Sequence, residues 1–190
     1  MFFLNYHRWW SLTVCLLLSS VAGSYAAPRI TEFMAANVTR LADEEGDFPD
    51  WIEVHNPDNV AVSLAGYHLT DDAANLDKWT FPAVMLAPDE LLVVFASGKN
   101  RDDPAARLHT NFRLSADGDY LALVAPDGTT VVSDFAPSYP AQIQNRSFGL
   151  VPLADDPVWS FFSTPTPGKP NKGGTRAGPT ISVMDKNPTQ

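Results

Sequence analysis

The chain has 190 residues, 45% of them hydrophobic and 18% charged, a formal net charge of −9 and one cysteine. An acidic balance of this size opposes nucleic-acid binding, which draws its affinity from neutralising phosphates with Lys and Arg; cation binding or plain solubility suits it better. With Cys15 alone, an internal disulfide and a thiolate metal cluster are excluded, so stability must come from an ordinary apolar core, and the length fits one principal domain.

Residues 1–26 read as a signal peptide. Arg8 supplies a positive start, Leu12-Thr13-Val14-Cys15-Leu16-Leu17-Leu18 opens an apolar stretch, and Ser24-Tyr25-Ala26 offers small residues where a signal peptidase cuts. The stretch is too short and too broken by Ser and Gly for a comfortable membrane span, which needs about 20 apolar residues. An uncleaved anchor is the competing reading. A lipoprotein signal fits less well, because Val14 stands before Cys15 where a small residue belongs. Cleavage near Ala26 would leave a secreted, extracellular or envelope chain with no span and no cysteine.

From residue 28 to 168 short apolar or alternating runs recur, punctuated by Asp, Gly, Asn and Pro, with no sustained helical period; that is the pattern of an all-β domain. Strands are expected near 30–35 and 51–56, and between them an acidic, glycine-broken loop runs through Asp43-Glu44-Glu45-Gly46-Asp47-Phe48-Pro49-Asp50. Further strands are expected near 62–64, 67–70, 79–81 and 91–96. A hairpin spans 120–135, where Pro126-Asp127-Gly128 supplies the turn. Leu121, Leu123 and Val131 are candidates for its buried face, subject to register. Strands near 147–149 and 160–163 close the domain. Many short strands with frequent turns fit a two-layer sandwich with Greek-key connections, and a small barrel is the structural alternative.

After Ser163 the composition changes. Thr164-Pro165-Thr166-Pro167-Gly168-Lys169-Pro170 cannot pair as a central strand, because proline lacks the donor and glycine the packing, so it reads as a linker. Residues 169–190 are expected to be Pro/Gly-rich linker and the start of a further domain, opened by a strand within 178–184, as in the N-terminal part of a longer protein.

Several segments line up in order with one family. They are Ile30-Thr31-Glu32-Phe33-Met34-Ala35-Ala36-Asn37, Asp50-Trp51-Ile52-Glu53-Val54-His55-Asn56, Leu64-Ala65-Gly66-Tyr67-His68-Leu69-Thr70-Asp71-Asp72 and Lys78-Trp79-Thr80-Phe81-Pro82. Leu92-Val93-Val94-Phe95-Ala96-Ser97-Gly98-Lys99, Leu108-His109-Thr110-Asn111-Phe112, the run 117–125 and Pro165-Thr166-Pro167-Gly168 follow. Over residues 29–170 the chain resembles the lamin-tail domain in its secreted bacterial form. The resemblance implies an immunoglobulin-like β-sandwich of about nine strands. It also implies a module found beside extracellular units such as spore-coat kinase-like domains, hydrolases and adhesive repeats. It carries over no catalytic residues.

The acidic loop is the foremost site candidate. Asp43, Glu44, Asp47 and Asp50 bring four carboxylates within eight residues around Gly46, a spacing that could wrap hard oxygen ligands around Ca²⁺ and relieve their mutual repulsion. The competing reading is a solvated loop capped by Asp47 or Asp50. Asp71 and Asp72, with Asn75 and Asp77 behind them, form either a second acidic rim or a polar turn. Trp51 and Glu53 lie on the strand face opposite Ile52 and Val54, so Trp51 is either covered by the acidic loop or exposed as a sugar-stacking platform.

His55, His68 and His109 lack any zinc-binding spacing. Ser97, His109 and an aspartate could be drawn as a nucleophilic set, yet Ser97 has no G-x-S-x-G elbow. His109-Thr110-Asn111 is expected instead to pin the loop after Lys99-Asn100-Arg101 through side-chain hydrogen bonds. The sequons at Asn37 and Asn145 matter only in a glycosylating pathway. The reading that follows is a non-enzymatic, secreted interaction or adhesion module. It needs no cofactor beyond the candidate Ca²⁺, and it tethers a larger protein to an extracellular or cell-surface protein or glycan. The alternative is an accessory N-terminal domain of an extracellular hydrolase or spore-coat kinase-like enzyme.

Overall fold

Among the described residues the chain forms twelve strands and no helix. The computed structural model describes residues 26–151 and 158–171; the leader and the strand expected within 178–184 lie outside them. In order the strands are β1 (Arg29–Met34), β2 (Asp50–His55), β3 (Val62–Ser63), β4 (His68–Thr70), β5 (Trp79–Thr80) and β6 (Met85–Leu86). They continue as β7 (Leu91–Ala96), β8 (Leu108–His109), β9 (Ala122–Val124), β10 (Val131–Asp134), β11 (Ser147–Val151) and β12 (Val158–Phe162). Ten fall where expected. The two-residue β6 and β8 are too short to leave a periodic signal and exist by pairing, β6 with β3 and β8 in parallel with β7.

A six-stranded sheet, ordered β12-β11-β1-β2-β7-β8, faces a four-stranded sheet, β10-β9-β4-β5, with β3-β6 as a small ribbon beside them. Phe33, Ile52, Val54 and Val94 of the larger sheet meet Leu69, Trp79 and Leu123 of the smaller, and Leu121 just before β9, in one core. Each such side chain contributes roughly 1.5–3 kcal/mol by burial. Phe33 sits at an aromatic junction, its ring 5.0 Å from Phe135, 4.8 Å from Tyr139 and 5.8 Å from Phe148.

Two local irregularities set which residues point inward. A bulge between Ile30 and Glu32 lets both Ile30 and Phe33 enter the core, and it brings Glu32 opposite Glu53 on β2. A second, between Val131 and Ser133, corrects the expected hairpin face. Leu121 and Leu123 are fully buried, but Val131 turns outward and Val132 packs against the core instead.

The outer face of the larger sheet is covered as well. Met34, Trp51 and Phe95 form a second apolar cluster, with Leu41 from the acidic loop against it. Residues 164–171, expected to be a linker, cross this face as a strap. Thr166 donates its N–H to Glu32 Oε1 at 3.0 Å and its hydroxyl to Glu32 Oε2 at 2.7 Å. Gly168 N–H reaches Glu53 Oε2 at 2.8 Å, and Asn171 Nδ2 donates to the carbonyls of Thr31 and Leu150. Proline and glycine exclude strand pairing, but they leave isolated donors that buried carboxylates can take up.

Gly149 on β11 is where this close packing demands a missing side chain. A Cβ there would lie 2.9 Å from Phe162, 3.0 Å from Asn171 Nδ2 and 3.1 Å from Glu32 Cγ. Gly149→Ala is therefore expected to cost about 1–3 kcal/mol through overpacking, and urea denaturation would show it as a lowered midpoint.

Candidate functional site

The acidic loop is a rigid hairpin-like turn before any ligand is considered. Gly46 adopts φ 85°, a backbone state that L side chains rarely take. Asp43 Oδ1 accepts the N–H groups of Glu45 and Asp47, both at 3.0 Å, and Asp43 N–H donates to Asp47 O at 2.8 Å. At the base of the loop, buried Asn37 spans it, donating to the carbonyls of Leu41 and Pro49 and accepting Arg40 N–H.

Two cations from the segment after β7 offset part of the loop's charge. Lys99 Nζ hydrogen-bonds Asp43 Oδ2, reaches Glu45 Oε2 at 2.6 Å and lies 3.1 Å from Asp47 Oδ2. Arg101 holds Glu44 at 2.5 Å through Nη1 and Glu45 through Nη2. The hydrogen bond to Asp43, then that to Glu45, raises the Lys99 ammonium above the ordinary lysine range, and the Glu45 carboxyl is lowered chiefly by Lys99. Of the four residues expected to gather as oxygen ligands, Asp43, Glu44 and Asp47 lie in this network. Asp50 does not: it turns away to accept Asn37 N–H at 3.0 Å, and Glu45 takes the vacated role.

His109 is fully buried and ties the loop to the sheet. Its Nδ1 lies 2.8 Å from Ser97 Oγ and its Nε2 3.2 Å from Glu44 Oε2, while the ring stacks on Phe95 at 5.1 Å. A serine, a histidine and a carboxylate thus do meet, with Glu44 in place of an aspartate. However, Ser97 is 3% exposed and its Oγ accepts Lys99 N–H at 3.1 Å, so the hydroxyl is used up inside the fold, where a nucleophile must face its substrate. The Arg101 loop is pinned to His109 by reciprocal backbone hydrogen bonds at 2.9 Å rather than by side chains, which corrects the expectation.

Of the alternatives left open for Trp51 and for Asp71 and Asp72, the structure shows a covered ring and a polar turn. Trp51 and Glu53 are both at 0% exposure, because Leu41 covers the first and the strap covers the second, so neither is a surface group. Lys78 Nζ lies 2.5 Å from Asp71 Oδ1, and exposed Asp72 caps the Ala74 amide at 2.9 Å; these two residues build a polar turn.

What the sequence did not single out is the pocket beside the acidic loop. It has a volume near 320 Å³ and its lining includes Asn37, Asp47, Phe48, Asp50, Lys99 and Arg113. Phe48 is 41% exposed. Arg113 donates Nε–H to Ser97 O at 2.9 Å, and among the described residues no hydrogen-bond partner takes its two Nη groups. Burial pushes the Asp50 carboxyl up to about 6, against the Asn37 N–H and the Arg113 charge that favour its ionised form.

A family model described as Lamin Tail Domain matches residues 22–136. The chain belongs to the lamin tail domain family. This is a family of non-enzymatic, immunoglobulin-like interaction domains, in keeping with the two-layer sandwich. No curated protein matches the chain. In this lamin tail domain β11, β12 and the strap lie beyond the matched residues, yet they complete the larger sheet and cover its outer face. Among the described residues no helix is long and apolar enough to cross a membrane.

Proposed function

We propose that this lamin tail domain is exported and works as a non-catalytic tether, gripping an extracellular or cell-surface partner through the pocket beside the acidic loop. The observation that supports this most is the pairing of exposed Phe48 with the unengaged Nη groups of Arg113 on a loop already stiffened by Lys99 and Arg101. A rim that needs no ordering keeps the entropy cost of association low. The signal-like leader and the acidic charge agree with life outside the cytoplasm. The test is binding of the purified domain to whole cells and envelope fractions of its host, comparing wild type with Phe48→Ala and Arg113→Ala. Capture by the wild type and loss in both variants is expected. Equal capture by all three would refute the pocket's role. Recovery of the secreted protein with its N-terminus near Ala27 would check the export step.

The same loop bears on calcium. An ion among Asp43, Glu45 and Asp47 would have to displace the Lys99 ammonium, which already answers their repulsion. Calcium at about 5 mM should therefore raise the wild-type Tm by less than about 1 °C and raise that of Lys99→Ala by several degrees, since the stabilisation follows RT ln(1 + [L]/Kd). Differential scanning calorimetry with and without a chelator measures both.

A further inference from the structure

We propose that the pocket beside the acidic loop receives one pyranose ring of a neutral glycan, its apolar face on Phe48 and its neighbouring hydroxyls shared between Asp50 and Arg113. The inference rests on the tethering reading above and names the chemistry of the partner.

Phe48 is the sole aromatic among the exposed large apolar side chains of the described residues, at a position where the loop could have carried any polar group. A flat ring left in water beside carboxylates suits a ligand with one apolar and one polar face. The polar half is also present. Asp50 and Arg113 line the same pocket with opposite charges, yet no ion pair joins them. Asp50 spends Oδ1 on Asn37 N–H, and Arg113 spends Nε on Ser97 O, which leaves one carboxylate oxygen and the guanidinium fork unengaged among the described residues. A vicinal diol matches that pair, because each hydroxyl can donate to a carboxylate and accept from a guanidinium.

Charge selects against the obvious competitors. Lys99 is committed to three carboxylates and Arg101 to two, so the pocket's surroundings stay acidic and repel a phosphate, sulfate or uronate. An extended peptide would look for a row of backbone donors and acceptors along a strand edge. Here the available polar groups are side chains, and the β7 edge is taken by β8. The volume of about 320 Å³ lies at the small end of ligand pockets, the scale of one ring rather than a protein surface.

The experiment uses the domain with soluble tetrasaccharides of glucose, mannose, galactose and N-acetylglucosamine as probes, read by amide chemical-shift titration and saturation transfer to sugar protons. At least one neutral probe should bind with a dissociation constant on the order of 1 mM. Its shifts should centre on residues 47–50, 97–99 and 113. Phe48→Ala and Arg113→Met should each weaken it about tenfold or more, while Val131→Ala, on the far sheet, leaves it unchanged. Melting curves confirm that the variants fold. Silence from all four probes at about 20 mM, or binding indifferent to both pocket variants, overturns the glycan assignment. If envelope capture still depends on Phe48 in that event, the tether stands and its ligand is not a neutral sugar; if capture is also indifferent, both readings fall.

Discussion

Trp51→Ala should lower the free energy of unfolding by about 3–5 kcal/mol, the range for removing a large aromatic ring from a core. The ring is fully buried against Met34 and Phe95 with Leu41 over it, and the neighbours are strand residues with little freedom to collapse into the space. In a protein of this size a loss of that order moves Tm by about 6–20 °C. Urea denaturation measures it directly, and a cost below about 1 kcal/mol would place the ring outside the core. Phe48→Ala supplies the contrast. It removes an exposed ring, so its effect on stability should stay within about 0.5 kcal/mol, and the two substitutions separate an aromatic that holds the fold from one that stands in solvent.

The domain should be more stable at pH 5.5 than at pH 8, by about 2 kcal/mol from Glu53 alone. Burial drives the Glu53 carboxyl up to about 7, with the neighbouring Glu32 charge adding to the rise and hydrogen bonds from Thr31 and Gly168 opposing it. A carboxyl raised on folding binds its proton more tightly in the native state than in the unfolded chain. Its contribution is therefore complete below the unfolded value of 4.5 and is lost as pH climbs through about 7. Glu32 is raised as well, and burial raises Asp50 to about 6, so both act with the same sign. His55 is lowered by burial and by Arg29, which opposes them toward acid pH, and the depressed Asp43, Glu44 and Glu45 carboxyls bring stability down again below about pH 4. A Tm-against-pH series should peak near pH 5–6 and fall by about 4–8 °C at pH 8. Glu53→Gln, which keeps the shape and removes the ionisation, should flatten the alkaline limb; an unchanged limb would assign it to other groups.

Much of the sandwich was legible because its evidence is local. Ile52 and Val54 alternate with Trp51 and Glu53, and Pro126-Asp127-Gly128 can hardly be anything but a turn. The inward set went astray only where a bulge broke the period, at Val131. The acidic loop was legible as a feature, but its partners were not, since 56 residues separate Lys99 from Asp43 and the sequence reads their charges as unrelated runs. The basic pair Lys99 and Arg101, alternating past the end of a strand, was the signal available. Trp51 drew attention because tryptophan is conspicuous; Phe48, two residues from the strand, passed as one more apolar side chain. The strap was misread because its composition forbids strand pairing, and composition says nothing about where single donors land.

That strap also determines how load enters the domain. Anything attached beyond Asn171 pulls first on Thr166, Gly168 and Asn171, whose bonds end on Glu32, Glu53, Thr31 and Leu150. Tension is thereby shared among three adjacent strands of the larger sheet, β11, β1 and β2, before it reaches β12 at the edge.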